Sequence, residues 1–249
     1  MIQRSNVFFI NFGNWKMFRF LKMCERFALN ATIKDVEKVV PKIKIQNEIR
    51  NSYNIAPTAS IACLKGEGEA ITLSYFRWGL IPSWAKDSSI GNKMINARAE
   101  TLMEKASFKR LLNRYRCIIL ASGFYEWFKA SNDQIPHYIT MNNDELMCFA
   151  GLYDNWKNEN NEIITTATII TTEPNTLMAL IHNRMPVILD PDDISLWLDT
   201  KIDFNEIRDK LKPIHSYKLR AYPVTHSVNN PQYNNADCLT PQGDDLVVS

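Results

Sequence analysis

The chain has 249 residues, of which 45% are hydrophobic and 22% charged, a composition that suits one large globular domain or two small ones and can bury a core without disulfides or metals. Its five cysteines (Cys24, Cys63, Cys117, Cys148, Cys238) are odd in number, never spaced C-x-x-C and joined by only four histidines, which argues against a disulfide scaffold and a zinc finger. Apolar runs fall short of a membrane helix, the eight glycines make no common nucleotide-binding loop, and a net charge of +2 gives no bulk signal for nucleic acid.

The opening segment, residues 1–22, stands apart. It holds Arg4, Lys16, Arg19 and Lys22 and no acid, so the rest of the chain carries 25 of the 29 basic side chains against all 27 acidic ones. Asn11, Gly13, Asn14 and Lys16 interrupt any apolar stretch of signal-peptide length. Three readings stay open: a start assigned upstream of the true one at Met23, a propeptide that is removed, and an amphipathic targeting segment. The first two leave Cys24 at or beside a new N-terminus.

Past Met23, Ile33, Val36, Val39 and Val40 recur at helical spacing and stop at Pro41, predicting a short helix. Strands are predicted at Ser60–Leu64, Ile71–Trp78, Arg116–Ala121, Phe124–Phe128, His137–Met141, Met147–Leu152, Thr165–Thr172, Pro186–Leu189 and Tyr217–Val224. Helices are predicted over Ala99–Tyr115, Pro191–Leu198 and Phe204–Leu211. Strands do not alternate regularly with helices, so the expected fold class is α+β with a largely antiparallel sheet or barrel core and flanking helices. The expected organisation is an extension over 1–22, one catalytic domain over 23–238 and a flexible tail over 239–249.

Six segments are too particular for loops or strands that merely pack: Met23-Cys24-Glu25-Arg26-Phe27; Asn54-Ile55-Ala56-Pro57; Trp78-Gly79-Leu80-Ile81-Pro82-Ser83-Trp84; Ile95-Asn96-Ala97-Arg98-Ala99-Glu100-Thr101; Gly123-Phe124-Tyr125-Glu126-Trp127; and Ile181-His182-Asn183-Arg184-Met185-Pro186. In order and spacing they resemble the SOS response-associated peptidase (SRAP) family, and the resemblance covers Met23 to Cys238. Two departures stand out: Glu25 occupies the place of the family's glycine, and 22 residues precede the family's starting methionine.

The resemblance implies a protein that recognises abasic sites in single-stranded DNA and crosslinks to them through an N-terminal cysteine, with an associated self-cleaving activity that frees it. Matched motif by motif, the implied catalytic residues are Cys24, Asn96, Glu126 and His182. Candidate DNA contacts are Arg26, Asn54, Trp84, Arg98, Trp127 and Arg184: arginines for phosphates, tryptophans for stacking on bases. Trp78 is assigned to the core, and His137, His215 and His226 to structural roles.

The chemistry is coherent without the family name. An abasic sugar opens to an aldehyde, and an N-terminal cysteine offers an amine and a thiol two carbons apart, so imine formation followed by thiol addition closes a five-membered thiazolidine. An internal cysteine cannot do this, because its nitrogen is an amide. Glu126 among aromatics is a candidate proton shuttle, His182 a second proton carrier or phosphate holder, and Asn96 a group that orients the amine. Two other functions compete: a cysteine amidohydrolase or peptidase acting in trans with Cys24 as nucleophile, and a non-catalytic binder of single-stranded nucleic acid. No cofactor and no metal are expected, a monomer is expected, and the absence of a signal pattern places the protein in the cytoplasm, associated with the nucleoid.

Overall fold

The computed structural model describes residues 25–41, 43–44, 48–68, 70–130 and 133–248. Its strands in chain order are β1 (Phe27–Leu29), β2 (Ile43–Lys44), β3 (Ser52–Ile55), β4 (Ser60–Glu67), β5 (Ala70–Trp78), β6 (Asn96–Arg98), β7 (Arg116–Ala121), β8 (Gly123–Ala130), β9 (Asp133–Met141), β10 (Met147–Lys157), β11 (Ile163–Thr172), β12 (Met185–Pro186) and β13 (Leu219–Pro223). The α-helices are α1 (Ile33–Val39), α2 (Ala106–Lys109), α3 (Pro191–Leu198) and α4 (Phe204–Ile207), with single 3-10 turns between elements.

Five strands form a closed barrel. Antiparallel pairing runs β11–β10–β7–β4–β5, and a parallel contact of β5 with β11, Thr166 opposite Arg77 and Ala167 opposite Trp78, joins the two ends. Closure leaves no free edge within this ring. Both faces of β7 are covered, which is why Arg116–Ala121 is buried at every position and shows no alternation. A second sheet, ordered β13–β9–β8–β1–β3, is antiparallel throughout. The fold is α+β with a largely antiparallel barrel and sheet core, as expected.

The two faces of the second sheet have different neighbours. Phe27 and Phe124 point into the main core, where Phe27 meets Trp78 edge-on at 5.1 Å between ring centroids and Phe149 at 6.0 Å. Ala28, Tyr125, Tyr138 and Tyr222 point the other way, into a smaller core closed by Val228 and Cys238 of the C-terminal segment. Buried Arg116 fastens α3 to the barrel: its Nε donates to the Trp197 carbonyl at 2.6 Å and its Nη1 to the Leu112 carbonyl at 2.7 Å.

Local sequence explains the helices that formed. Thr32 and Asp35 make a reciprocal capping box on α1, and Asp203 and Glu206 make another on α4. Pro191 opens α3 with Asp190 before it. The helix expected over Ala99–Tyr115 is a correction. Only a 3-10 turn at Ala99–Thr101 and the four-residue α2 form there, because Lys105 is extended (φ −85°, ψ 118°) and the chain bends to bury Leu102, Phe108 and Leu111. Two bonds of the C-terminal segment run to β13: Gln242 N–H donates to the Pro223 carbonyl at 2.8 Å and Leu246 N–H to the Ala221 carbonyl at 2.7 Å. Among the described residues, no helix is long and apolar enough to cross a membrane.

Candidate active site

Cys24, the first of the expected catalytic residues, lies outside the described residues. Glu25, its neighbour in sequence, is the first residue the structure describes, and it leads directly into β1. β1 pairs with β8, Phe27 opposite Phe124 and Ala28 opposite Gly123, and Tyr125 N–H donates to the Arg26 carbonyl at 3.0 Å. Gly123 permits the close approach of β9 on the other side of β8, since a Cβ there would strike the Ile139 carbonyl and the Tyr138 ring. The bond from Tyr125 to Arg26 extends the register by one residue, with Arg26 opposite Tyr125. Alternation then sets Phe27, Phe124 and Glu126 on one face of the sheet and Arg26, Ala28 and Tyr125 on the other. The burial clusters agree with this division.

Glu126 is 4% exposed. On its other side β9 sets His137 directly opposite it, also 4% exposed, and His137 stacks obliquely on Phe128 at 5.7 Å. His137 Nδ1 lies 3.0 Å from the Ile135 carbonyl. A carbonyl only accepts, so Nδ1 carries a proton and Nε2 is left as the acceptor in the neutral ring. Burial pushes the His137 imidazole below its ordinary value, outweighing that hydrogen bond. Sequence reading set His137 aside as structural; only the strand register places it beside Glu126.

Asn96 and His182 flank the C-terminal half of β11. β6 runs parallel to it with Asn96 opposite Ile169, and β12 runs antiparallel with Met185 opposite Thr172. Trp78 links this region to β1: its ring lies against Phe27, and its indole N–H donates at 3.0 Å to the carbonyl of Ile95, the residue before Asn96. His182 is half-buried, and its Nδ1 accepts the Arg184 backbone N–H at 3.2 Å, so the neutral ring holds its proton on Nε2. Burial lowers its basicity below the ordinary histidine value, with smaller contributions from the charges of Lys129 and Arg184. Lys129 belongs to β8, three residues beyond Glu126, so the His182 loop and this end of β8 lie within electrostatic reach of each other.

The expected DNA contacts divide into two groups. Trp84 and Arg98 are exposed, Trp84 at 59%. Trp84 stands on a loop held from below: Ser83 N–H donates to Asp154 Oδ2 at 2.7 Å, Trp156 Nε1–H donates to the Ala85 carbonyl at 2.7 Å, and Arg110 pairs with Asp154. Gly79 starts the turn with φ +115°, where a Cβ would lie 2.5 Å from the Gly91 carbonyl.

Arg26, Asn54, Trp127 and Arg184 have protein partners. Arg26 Nη1 donates to Asn54 Oδ1 at 2.7 Å and to the Val228 carbonyl at 2.8 Å; burial lowers the Arg26 guanidinium from its ordinary value. Asn54 Nδ2 lies among the carbonyls of Val228, Asn230 and Tyr233 at 3.2, 3.0 and 2.7 Å. Trp127 Nε1–H donates to Asn229 Oδ1 at 2.7 Å. These three residues fasten the C-terminal segment over the second sheet. Arg184 pairs with Glu100, a residue of the same motif as Asn96 to which sequence reading gave no role. Among the described residues, no group of three or more His, Cys, Asp and Glu side chains is arranged to hold a metal ion.

Comparison with known proteins agrees with this architecture. The family model described as SOS response associated peptidase (SRAP) matches residues 23–231. The abasic site processing protein YoqW of Bacillus subtilis (strain 168) is 42% identical over 221 residues, covering 87% of this chain and 99% of its own length. The abasic site processing protein HMCES of Xenopus tropicalis is 34% identical over 222 residues, covering 76% of this chain and 65% of its own. A crystal structure of a protein from Bacteroides thetaiotaomicron superimposes with a TM-score of 0.77 at 25% identity, covering 88% of this chain and 99% of the other. On the extent of the sequence match, this chain belongs to the SOS response associated peptidase family.

Proposed function

We propose that this protein processes abasic sites in single-stranded DNA by joining itself to them through Cys24. The residues before Cys24 are absent or removed, which frees its α-amine. The amine adds to the sugar aldehyde and water leaves, giving an imine. The thiol then adds across the C=N bond and its proton passes to nitrogen, so the closed thiazolidine equals the sum of the partners less one water. An α-amine titrates near ~7.7–8.0 and a thiol near ~8.5, so both reactive forms are populated at neutral pH. The printed names of YoqW and HMCES support the substrate class.

One observation carries the reading: β1, which begins three residues after Cys24, pairs with β8, the strand that holds buried Glu126, and the Tyr125 N–H bond to the Arg26 carbonyl brings the approach to β1 alongside it. A carboxyl group there serves as proton shuttle for opening the sugar and for loss of water from the carbinolamine. His182 donates through Nε2–H, Asn96 orients the amine, Arg98 meets phosphate and Trp84 stacks on a base. Hydrolysis of the Met23–Cys24 bond, in chains that begin upstream, is the self-cleaving activity that goes with this role. The working compartment is the cytoplasm, at the nucleoid, and the working form is a monomer.

The test is denaturing gel electrophoresis of a Met23-start protein with single-stranded DNA carrying one abasic site, with intact DNA and Cys24→Ala as controls. The expected result is a heat-stable band that needs both the lesion and Cys24, with one lesion consumed per protein. Repeated release of product from a peptide or amide substrate, with no such band, would replace this reading by a hydrolase.

A further inference from the structure

A residue at a chain terminus is located by what fastens its neighbours, and Arg26 stands two residues from Cys24. The main-chain carbonyl of Arg26 accepts the Tyr125 N–H at 3.0 Å, which ties the approach to β1 onto β8. Its guanidinium is held by two other parts of the chain. β3 pairs with β1, Phe27 opposite Ile55, and from β3 the buried side chain of Asn54 offers Oδ1 to Arg26 Nη1 at 2.7 Å. The same Nη1 donates to the Val228 carbonyl at 2.8 Å, and Asn54 Nδ2 lies 3.2 Å from that carbonyl, so the three groups close a triangle. Asn54 Nδ2 also meets the Asn230 and Tyr233 carbonyls at 3.0 and 2.7 Å. The C-terminal segment is tied to the sheet at further points: Tyr53 N–H donates to Asn234 Oδ1 at 2.6 Å and Trp127 Nε1–H to Asn229 Oδ1 at 2.7 Å.

We propose that Arg26 is a positioning residue that acts through Cys24: the triangle of Arg26, Asn54 and the Val228 carbonyl anchors the N-terminal arm, so that the C-terminal segment, 202 residues further along the chain, sets where the Cys24 amine and thiol stand. This rests on the reading of Cys24 as the nucleophile. Two residues of extended chain span at most about 7 Å, so an anchor at Arg26 confines both reacting groups to a short reach. Groups ordered before reaction leave less entropy to be lost in the transition state, and a misplacement of about 1 Å can cost about a hundredfold in rate. The anchor is built to stay ordered. Asn54 is buried and Val228 fully so, and releasing a guanidinium from acceptors in such surroundings leaves polar groups unpaired. Exposed Arg98 is the residue for phosphate, and the bonds of half-buried Arg26 within the protein give it this other task.

The test measures adduct formation by the Met23-start protein, in excess over single-stranded DNA carrying one abasic site, at a temperature where every variant is folded. In Arg26→Met, which keeps length and removes the donors, the maximal rate is expected to fall about 10–100-fold while the half-saturating protein concentration stays unchanged. Arg26→Lys, which keeps a charged donor, is expected to fall between that variant and the parent, and it carries the test if Arg26→Met does not fold. Ile194→Ala, a destabilising change at a buried position of α3, is expected to keep the parent's maximal rate. NMR relaxation of the Glu25 amide, which needs no DNA, is expected to show greater mobility in both Arg26 variants. A maximal rate that holds, one that falls alike in Ile194→Ala, or a Glu25 amide as ordered as in the parent overturns the proposal. A raised half-saturating concentration at an unchanged maximal rate overturns it in favour of a phosphate contact. If the parent forms no adduct, the function fails, and the Glu25 amide alone decides the anchor: loosened in the variants it stands, unmoved it falls too.

Discussion

Arg184 grips Glu100 with both terminal nitrogens, Nη1 to Oε1 at 2.5 Å and Nη2 to Oε2 at 2.9 Å, while Nη2 also donates to the Thr171 carbonyl at 2.7 Å. The pair joins the segment that carries Asn96 to the one that carries His182 across the end of β11. Its geometry is the planar fork that only arginine offers, so Arg184→Lys is not a conservative change.

The Arg184 guanidinium holds the Glu100 carboxyl below its ordinary value. A carboxyl group lowered on folding stabilises the native state above its unfolded-state value, and that contribution is lost as pH falls through the folded-state value. Glu100 is half exposed, so the contribution is about 0.5–1 kcal/mol after screening. Urea midpoints of the parent and Glu100→Gln should differ at neutral pH and converge below about pH 4. Equal midpoints at neutral pH would remove the clamp from the account.

Asn54 gives the largest stability prediction. Truncation in Asn54→Ala strands Arg26 and leaves the carbonyls of Val228, Asn230 and Tyr233 without the Asn54 amide. A cost of about 2–3 kcal/mol is expected, with faster amide exchange concentrated in residues 226–239. Because Arg26 is bonded within the protein, Arg26→Gln should destabilise without lowering the salt dependence of DNA binding, whereas Arg98→Gln should reduce that slope by about one phosphate contact.

The two exposed and anchored tryptophans should separate cleanly. Trp84→Ala removes a ring that is 59% exposed, so stability should hold within about 0.5 kcal/mol while affinity for single-stranded DNA falls by about 1–3 kcal/mol. Trp127→Ala breaks the bond to Asn229 and the packing on the smaller core, and should lower stability first. Chemical denaturation beside fluorescence anisotropy measures both.

Burial holds His137 and His182 below the ordinary histidine value of 6.5 in the folded chain. The unfolded state therefore takes up protons first as the solution is acidified, and the folded state loses stability as pH falls through about 6.5. Urea midpoints should decline between about pH 7.5 and pH 5.5, and His137→Phe should flatten part of the decline. A decline unchanged in His137→Phe would show that His137 takes up its proton alike in the folded and unfolded states.

What sequence made legible follows the range of the interaction. β11 is written in its run of threonines and isoleucines, and α3 in Pro191 and the acids around it, because these signals are local. β1 was not legible: Phe27, Ala28 and Leu29 are all buried, so three residues give no alternation, and only their neighbours in β3 and β8 make them a strand. The spacing of Leu102, Ala106 and Leu111 imitates a helix, but burial of Leu102 and Phe108 bends that stretch into turns. Motifs pointed to Glu126 and His182 through local pattern. The pairing of Glu126 with His137, of Glu100 with Arg184, and of Arg26 with Asn54 are matters of register and closure between distant segments, which no local pattern encodes.

Intact-mass analysis of the adduct between a Met23-start protein and single-stranded DNA with one abasic site tests the central claim most directly. The account predicts loss of the initiator methionine, and a product at the sum of the partners less one water that resists heat and is absent with Cys24→Ala. An adduct that forms equally well when residues remain attached before Cys24 would contradict it, because an amide nitrogen cannot close the thiazolidine.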